Sequence, residues 1–388
     1  DCWECGEDFG GCDLMRAITT SWVSCKLGDV IELKRGYDLP KSKRISGKVP
    51  IISSSGESGT HNEPKVKAPG VVTGRYGTLG EVFYVDRDFW PLNTALYVKD
   101  FKGNNPRFIS YFLTQLNFSG QNVAGAVPGV NRNYLHMLDV KIPPVQEQEN
   151  IASVLEVYDN LIENNNRRIA ILEEMVQSLY REWFVNFRFP GHESIKFIDS
   201  PLGKIPEGWE IVVVEEMVKR YQVGKKYNNK TALPEGGVPI LDQGKSGVIG
   251  YHNDEPGVVA TEDEPIIVFA NHTCYQKIIQ YAFSAIQNVL PFRPIEGERE
   301  RDLYWLHFAT KDVIEFNDYK GHWPEFVAKK IVLPHSEHCS LFGELAKPVE
   351  RQKYKLERQI AQLKKQRDLV LPKLISGTTS LSDVEVAA

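Results

Sequence analysis

The 388-residue chain contains no run approaching the ~20 consecutive apolar residues that a membrane-crossing helix needs, and no basic-then-apolar opening of the secretory kind. Neither insertion nor export is expected, and the cytoplasm is the expected location. Cysteine is scarce and uneven: Cys2, Cys5, Cys12 and Cys25 crowd the start, while Cys274 and Cys339 stand alone. No disulfide framework is visible. Cys2-x-x-Cys5 could begin a zinc site, but the second closely spaced Cys or His pair that tetrahedral zinc usually draws on is missing, so no metal is expected. Residues 1–20 read as a leader without fixed structure, with Met15 just ahead of the first patterned segment. Charge of neither sign dominates. The 46 basic and 51 acidic residues give a net −5, which excludes a protein that coats nucleic acid indiscriminately and leaves local basic patches open.

Recognisable catalytic sets are also lacking. Gly244-Lys245-Ser246 imitates the end of a phosphate-binding loop, but the glycine required five residues earlier is Pro239. Gly74-x-x-Gly77-x-x-Gly80 is a glycine-spaced turn between strands and lacks the strand-to-helix context of a dinucleotide site. Asp29 with Glu32-x-Lys34 reads as the surface face of one helical turn, its carboxylates too close in sequence for a nuclease cluster. The Asn-Pro-Pro-aromatic tetrapeptide that adenine methyltransferases use on a flipped base is absent. Catalysis is therefore expected to lie outside this chain.

What the chain does have is a repeat with a period near 190 residues, and long-period similarity takes precedence over local signals. Trp22 and Trp209 open the two copies. Val49-Pro50-Ile51-Ile52 recurs as Val238-Pro239-Ile240-Leu241, and His61-Asn62 as His252-Asn253. Gly125-Ala126-Val127-Pro128 recurs as Gly321-His322-Trp323-Pro324, and Lys141-Ile142-Pro143-Pro144 as Ile331-Val332-Leu333-Pro334. Between these anchors lie short β-rich runs punctuated by Gly, Pro and Asn, interrupted by helical segments at 108–118 and 303–316. The 42% hydrophobic content suffices for two or three cores.

Each copy is followed by a heptad-patterned helix. The first seam runs Ile151, Leu155, Tyr158, Ile162, Asn165, Ile169, Leu172, Val176, Leu179, Trp183. The second runs Ala346, Val349, Lys353, Leu356, Ile360, Leu363, Arg367, Val370, Leu374. Residues 146–188 hold eight acidic and four basic side chains, whereas 344–373 hold four acidic and nine basic. Opposite charge favours pairing of the two helices with each other over self-pairing. The expected fold class is α+β: two pseudo-repeated α/β domains separated by two long antiparallel coiled-coil helices, with boundaries at 21–144, 145–190, 191–335 and 336–388.

Four segments carry a family resemblance. Pro143-Pro144-Val145-Gln146-Glu147-Gln148-Glu149-Asn150-Ile151 leads into a helix ending Leu179-Tyr180-Arg181-Glu182-Trp183-Phe184-Val185-Asn186-Phe187. Gly70-Val71-Val72-Thr73-Gly74-Arg75-Tyr76-Gly77-Thr78-Leu79-Gly80 precedes Phe89-Trp90-Pro91-Leu92-Asn93-Thr94. Phe269-Ala270-Asn271-His272-Thr273 is followed by Lys277, and Tyr319-Lys320-Gly321-His322-Trp323 comes later. In these the chain resembles the specificity subunit of type I restriction-modification systems from about Ser21 to Gly377, although the second helix starts His335-Ser336-Glu337-His338 where the first has Glu-Gln. The resemblance implies two target-recognition domains reading one half each of a split site on double-stranded DNA, with paired helices setting the spacing. It also implies two methyltransferase (modification) subunits that use S-adenosylmethionine and restriction subunits that use ATP and Mg, with no cofactor in this chain. The competing readings are a DNA enzyme with its own divergent nuclease or methyltransferase site and a stand-alone DNA-binding regulator.

Phosphate contacts position a protein on DNA and base-edge contacts specify sequence, so loop Arg, Lys, Asn, Gln, Ser and His side chains are the candidate readers, with tyrosine among them. In the first domain these are Lys34, Arg35, Tyr37, Lys41, Lys43, Arg44, Ser54, Arg75, Tyr76, Asn131 and Arg132. In the second they are Lys225, Lys226, Tyr227, Asn228, Asn229, Lys230, Gln243, Lys245, His272, Tyr275, Lys277, Lys320 and His322. For Lys34 to Arg44 the alternative is a solvated charged loop; for His272 it is a packed, hydrogen-bonded histidine.

Overall fold

A computed structural model describes residues 21–75, 80–116, 131–244, 247–315 and 321–379. The leader at 1–20, the glycine turn at 76–79, the Gly125–Pro128 match and the helix ends expected at 118 and 316 lie outside the described residues. The chain divides into two compact units, Asp1–Glu163 with Ala361–Ala388, and Asn164–Ile360. Both are α+β.

The first unit begins with β1 (Val23–Lys26), α1 (Leu27–Val30), β2 (Glu32–Arg35), β3 (Val49–Ser53) and β4 (Gly56–His61). It continues with β5 (Gly70–Gly74), β6 (Val82–Val85), β7 (Trp90–Pro91), β8 (Ala95–Asp100), α2 (Pro106–Thr114), α3 (Arg132–His136) and β9 (Asp139–Ile142), and leads into α4 (Val145–Tyr180). Its sheets have the orders β2-β8-β5-β6, β4-β3-β7 and β1-β9. Every residue of β5 is buried, as suits an inner strand covered on both faces. Asn105 caps α2 by accepting from the Phe108 amide at 2.9 Å, with Pro106 in the first turn, where its missing N–H costs nothing. The core joins Leu27, Val71, Leu96, Phe108 and Phe112 to Ile151 and Leu155 of α4 and to Leu371 and Leu374.

The second unit runs through β10 (Phe197–Ser200), β11 (Gly203–Pro206), β12 (Glu210–Val213), β13 (Val218–Arg220), β14 (Lys226–Tyr227), β15 (Val238–Leu241), β16 (Val248–His252) and β17 (Ile266–Ala270). It then forms β18 (Gln276–Ile279), β19 (Ser284–Ile286), β20 (Val289–Pro294), α5 (Leu303–Thr310), α6 (Trp323–Val327), β21 (Lys330–Leu333) and α7 (Ser336–Ser376). The order β13-β20-β17-β18 reproduces β2-β8-β5-β6, β12-β21 reproduces β1-β9, and β16-β15-β19 reproduces β4-β3-β7 with β14 added at the edge. The repeat is thus one of topology. Strand register refines the alignment, because Val23 pairs Ile142 and Glu210 pairs Leu333. Pro334 therefore stands where Pro143 does, one residue from the sequence match. The hairpin β10–β11 has no counterpart among the described residues of the first unit.

The two helix starts differ in how they satisfy the same carbonyl. In the first, the buried Gln148 donates to Pro143 O and Asn104 Oδ1, both at 2.9 Å, and accepts from the Asn105 amide. In the second, the buried Cys339 occupies the position of Gln148, and Arg301 donates to Pro334 O at 3.0 Å instead.

The heptad seams are buried or half-buried along most of their length. Their two cations turn out to be ion-pair partners: within the first unit Arg367 meets Asp159 at 2.8 Å, and within the second Lys353 meets Glu173 at 3.1 Å. Within the second unit Tyr180, seven residues beyond Glu173 on α4, packs edge-on to Phe342, eleven residues before Lys353 on α7, which is the antiparallel sense. Residues Arg181–Val185 form a π-helical turn, whose extra residue per turn shifts the heptad phase, yet Trp183 at the end of the expected seam stays half-buried and packs edge-on to Phe342 of α7. Phe184 is thereby turned into the second core, edge-on to Trp305 and Phe342. The expected single helical turn over Asp29–Lys34 is corrected as well. α1 stops at Val30, where Asp29 Oδ2 has accepted from the Lys26 amide, and Glu32 lies on β2 paired with Lys99.

Candidate nucleic-acid interface

In the first unit the basic run starts on β2 and passes into a loop. Lys34 donates to the Tyr37 hydroxyl at 3.4 Å, and Tyr37 shares a 3.0 Å hydrogen bond with the Tyr97 hydroxyl. That bond, with Lys34 and Lys65 nearby, holds the Tyr37 phenol below its ordinary pKa, whereas burial pushes Tyr97 up. Arg35 is exposed and reaches Asn93 O at 3.4 Å. Lys41 and Lys43 are exposed on a short 3-10 turn, and Arg44 folds back to donate to Ser58 O at 3.0 Å. Ser54 lies in the β3–β4 turn, and Arg75 follows β5 with its amide on Thr94 O. Asn131 caps α3 by accepting from the Asn133 amide at 3.0 Å, and the exposed Arg132 opens that helix. Tyr76, like Lys245 and Lys320 of the second unit, lies outside the described residues.

In the second unit the expected readers separate into exposed and committed side chains. Lys226, Asn229 and Lys230 are exposed, and Asn228 accepts from the Lys230 amide in a tight turn. Lys225 is exposed but pairs with Asp254 at 2.6 Å. Tyr227 is only 5% exposed. Its ring stacks on His252 at 4.1 Å and its hydroxyl donates to Asp254 at 2.8 Å, so this side chain faces the interior rather than solvent. His322 is 1% exposed at the start of α6, with its amide on Asn271 O. Gln243 accepts from the His272 amide at 2.9 Å and takes the Thr273 hydroxyl on its carbonyl, which ties two loops together. Tyr275 is half-buried, and burial pushes its phenol up. Lys277 is held by Glu357 of α7 at 2.8 Å.

One cluster escaped the reading of the sequence. Lys65 sits 4.9 Å over the Trp90 ring, which packs edge-on against His61 and Tyr37. The alternation Lys65-Val66-Lys67 just after the repeated His61-Asn62 was the available signal. As chemistry, the sites offer cationic, amide and phenolic hydrogen-bonding groups on irregular segments. Among the described residues no three His, Cys, Asp or Glu side chains are grouped to hold a metal.

Comparison with known proteins accounts for this arrangement. Residues 20–174 match the family model of the type I restriction modification DNA specificity domain. The chain is 24% identical over 279 residues to the type I restriction enzyme MjaIX specificity subunit of Methanocaldococcus jannaschii, covering 66% of this chain and 64% of that protein. It is 24% identical over 308 residues to the MjaVIII specificity subunit of the same organism, covering 70% and 69%. The fold matches the crystal structure of a type I restriction-modification S subunit from M. genitalium with a TM-score of 0.60 at 16% identity, over 92% of this chain and 96% of that one. The chain is thus similar to type I restriction-modification specificity subunits, with the DNA specificity domain matched over residues 20–174. It spans just under two thirds of the length of MjaIX.

Proposed function

We propose that this chain is the non-catalytic, sequence-reading subunit of a type I restriction-modification assembly, each α+β unit reading one half of a bipartite asymmetric DNA site. The observation that carries this is the repetition of one strand topology with different side chains at equivalent loops. Tyr37 bridges Leu92 and Tyr227 pairs Ile286, both in parallel, yet Tyr37 lies beside Lys34 and Lys65 while Tyr227 is closed onto His252 and Asp254. Duplicated scaffolds that diverge at their loops suit two different half-sequences, and the repeat supplies two similar docking places for partners.

In this reading two modification subunits bring S-adenosylmethionine chemistry, restriction subunits bring ATP and Mg, and the chain works in the cytoplasm without a cofactor of its own. No helix among the described residues is long and apolar enough to cross a membrane. Co-expression with its modification partners followed by mapping of methylated positions tests the proposal. A split motif of two short half-sequences is expected. Methylation or cleavage of DNA by the purified chain alone would support the enzymatic alternative, and tight specific binding by the isolated chain would support a regulator.

A further inference from the structure

We infer that Lys65, with Lys34, forms a DNA-phosphate clamp that belongs to the first unit only. The inference rests on the DNA-reading function proposed above. Lys34 stands 5.4 Å over the Tyr37 ring and Lys65 4.9 Å over the Trp90 ring, and those two rings meet edge to face at 6.4 Å. The ammonium groups are thus placed on neighbouring rings of one rigid cluster. Ring faces hold a cation by their quadrupole without cancelling its charge.

Among the described residues neither lysine has a carboxylate within ion-pair distance, whereas Lys26, Lys99, Lys219, Lys225, Lys277 and Lys329 each do. Two cations without a carboxylate partner, held on a preorganised aromatic base beside the half-buried Tyr37, match the acceptor oxygens of a backbone phosphate. The second unit cannot repeat this. The bridge Val66–Phe89 corresponds to Val258–Phe283, so Gly257 takes the place of Lys65 and Ser284 that of Trp90. A Cβ on Gly257 would lie 2.0 Å from Val223 O, so no side chain fits there.

The test is the salt dependence of duplex binding by the full chain with its modification subunits, using the mapped methylation site and a scrambled duplex of equal length. Lys65→Gln is expected to weaken binding to both duplexes by the same factor and to reduce the slope of log K against log salt by about one. Lys65→Arg should keep the wild-type slope, and Lys99→Gln, which removes a lysine already paired with Glu32, should leave it unchanged. An unchanged slope in Lys65→Gln, a loss confined to the mapped site, or an equal loss of slope in Lys99→Gln would overturn the clamp. Absence of any preference of the wild-type complex for the mapped site would overturn the DNA-reading function itself, and the clamp with it.

Discussion

Arg367 donates to Asp159 Oδ1 at 2.8 Å across the paired helices of the first unit, while Asp159 Oδ2 accepts from Arg107 at 3.0 Å and from Tyr111 at 2.6 Å. One carboxylate therefore joins both long helices to α2. Removing it leaves the Tyr111 hydroxyl without its acceptor and Arg107 with only a 3.9 Å contact to Glu156, while Arg367 keeps Asp368 at 2.9 Å. Asp159→Ala is expected to destabilise the protein by about 2–4 kcal/mol, against about 1 kcal/mol for Arg367→Ala, which leaves Asp159 its other two donors. Urea denaturation curves of the two variants measure the difference, and equal, small losses would show that the carboxylate is not the junction.

Lys353 fills the corresponding role in the second unit, where its ammonium lies 3.1 Å from both Glu350 and Glu173. Burial pulls its pKa down, but the two carboxylates more than offset that and leave it raised. Glu350 is 7% exposed, so removing the cation leaves a buried carboxylate uncompensated. Lys353→Met should cost about 3–5 kcal/mol, and adding Glu350→Leu should restore most of it, because a buried pair replaced by apolar groups is close to neutral. A double variant no more stable than Lys353→Met would refute this account of the pair.

His307 sets an acid limit on the second unit. It is buried in α5 beside Gln276, whose Nε2 lies 3.0 Å from the imidazole Nδ1, and burial holds its pKa well below 6.5. The folded state thus disfavours the proton that the unfolded chain takes up near pH 6.5. Its contribution is complete above that pH and is lost progressively as pH falls toward the depressed folded value. His338, lowered by burial in the same way, adds to the slope. Melting temperatures should fall between pH 7.5 and 5.5 in the wild type and fall less in His307→Gln, whatever that variant's stability at neutral pH. An identical pH slope in both would exclude His307 as a source.

Tyr227 and Lys230 both read as DNA contacts from the sequence, and the fold assigns them different consequences. Tyr227→Phe removes the hydroxyl from Asp254 and His252, so a stability loss of about 1–2 kcal/mol is expected with the half-sequence unchanged. Lys230 is exposed, so Lys230→Ala should leave stability within about 0.5 kcal/mol and act, if it contacts a phosphate, on the salt slope. A changed half-sequence in Tyr227→Phe would mean that the ring leaves His252 when DNA binds.

The architecture was legible because its signals are periodic or repeated. Matched anchors such as Val49-Pro50 and Val238-Pro239 marked the duplication, and heptad spacing with opposite charge marked the antiparallel helices. Even the two misfit cations in the second seam, Lys353 and Arg367, found acidic partners on the first. What stayed hidden depends on contacts between distant segments. Nothing near Tyr227 in sequence announces that His252 and Asp254 will enclose it, and Arg301 replaces the role of Gln148 from 33 residues before Pro334. Lys65 was missed for the same reason, since its ring partner Trp90 lies 25 positions away. The π turn at Arg181–Val185 lies where the apolar pattern continues but the helix phase does not.

Replacing residues 21–144 with the equivalent stretch of a specificity subunit of different target sequence, and mapping methylation by the reassembled complex, tests the two-reader account most directly. The account predicts that one half-sequence of the methylated site changes to that of the donor while the other half and the spacing between them stay as they were. A change in both halves, or active methylation at the original site, would contradict it.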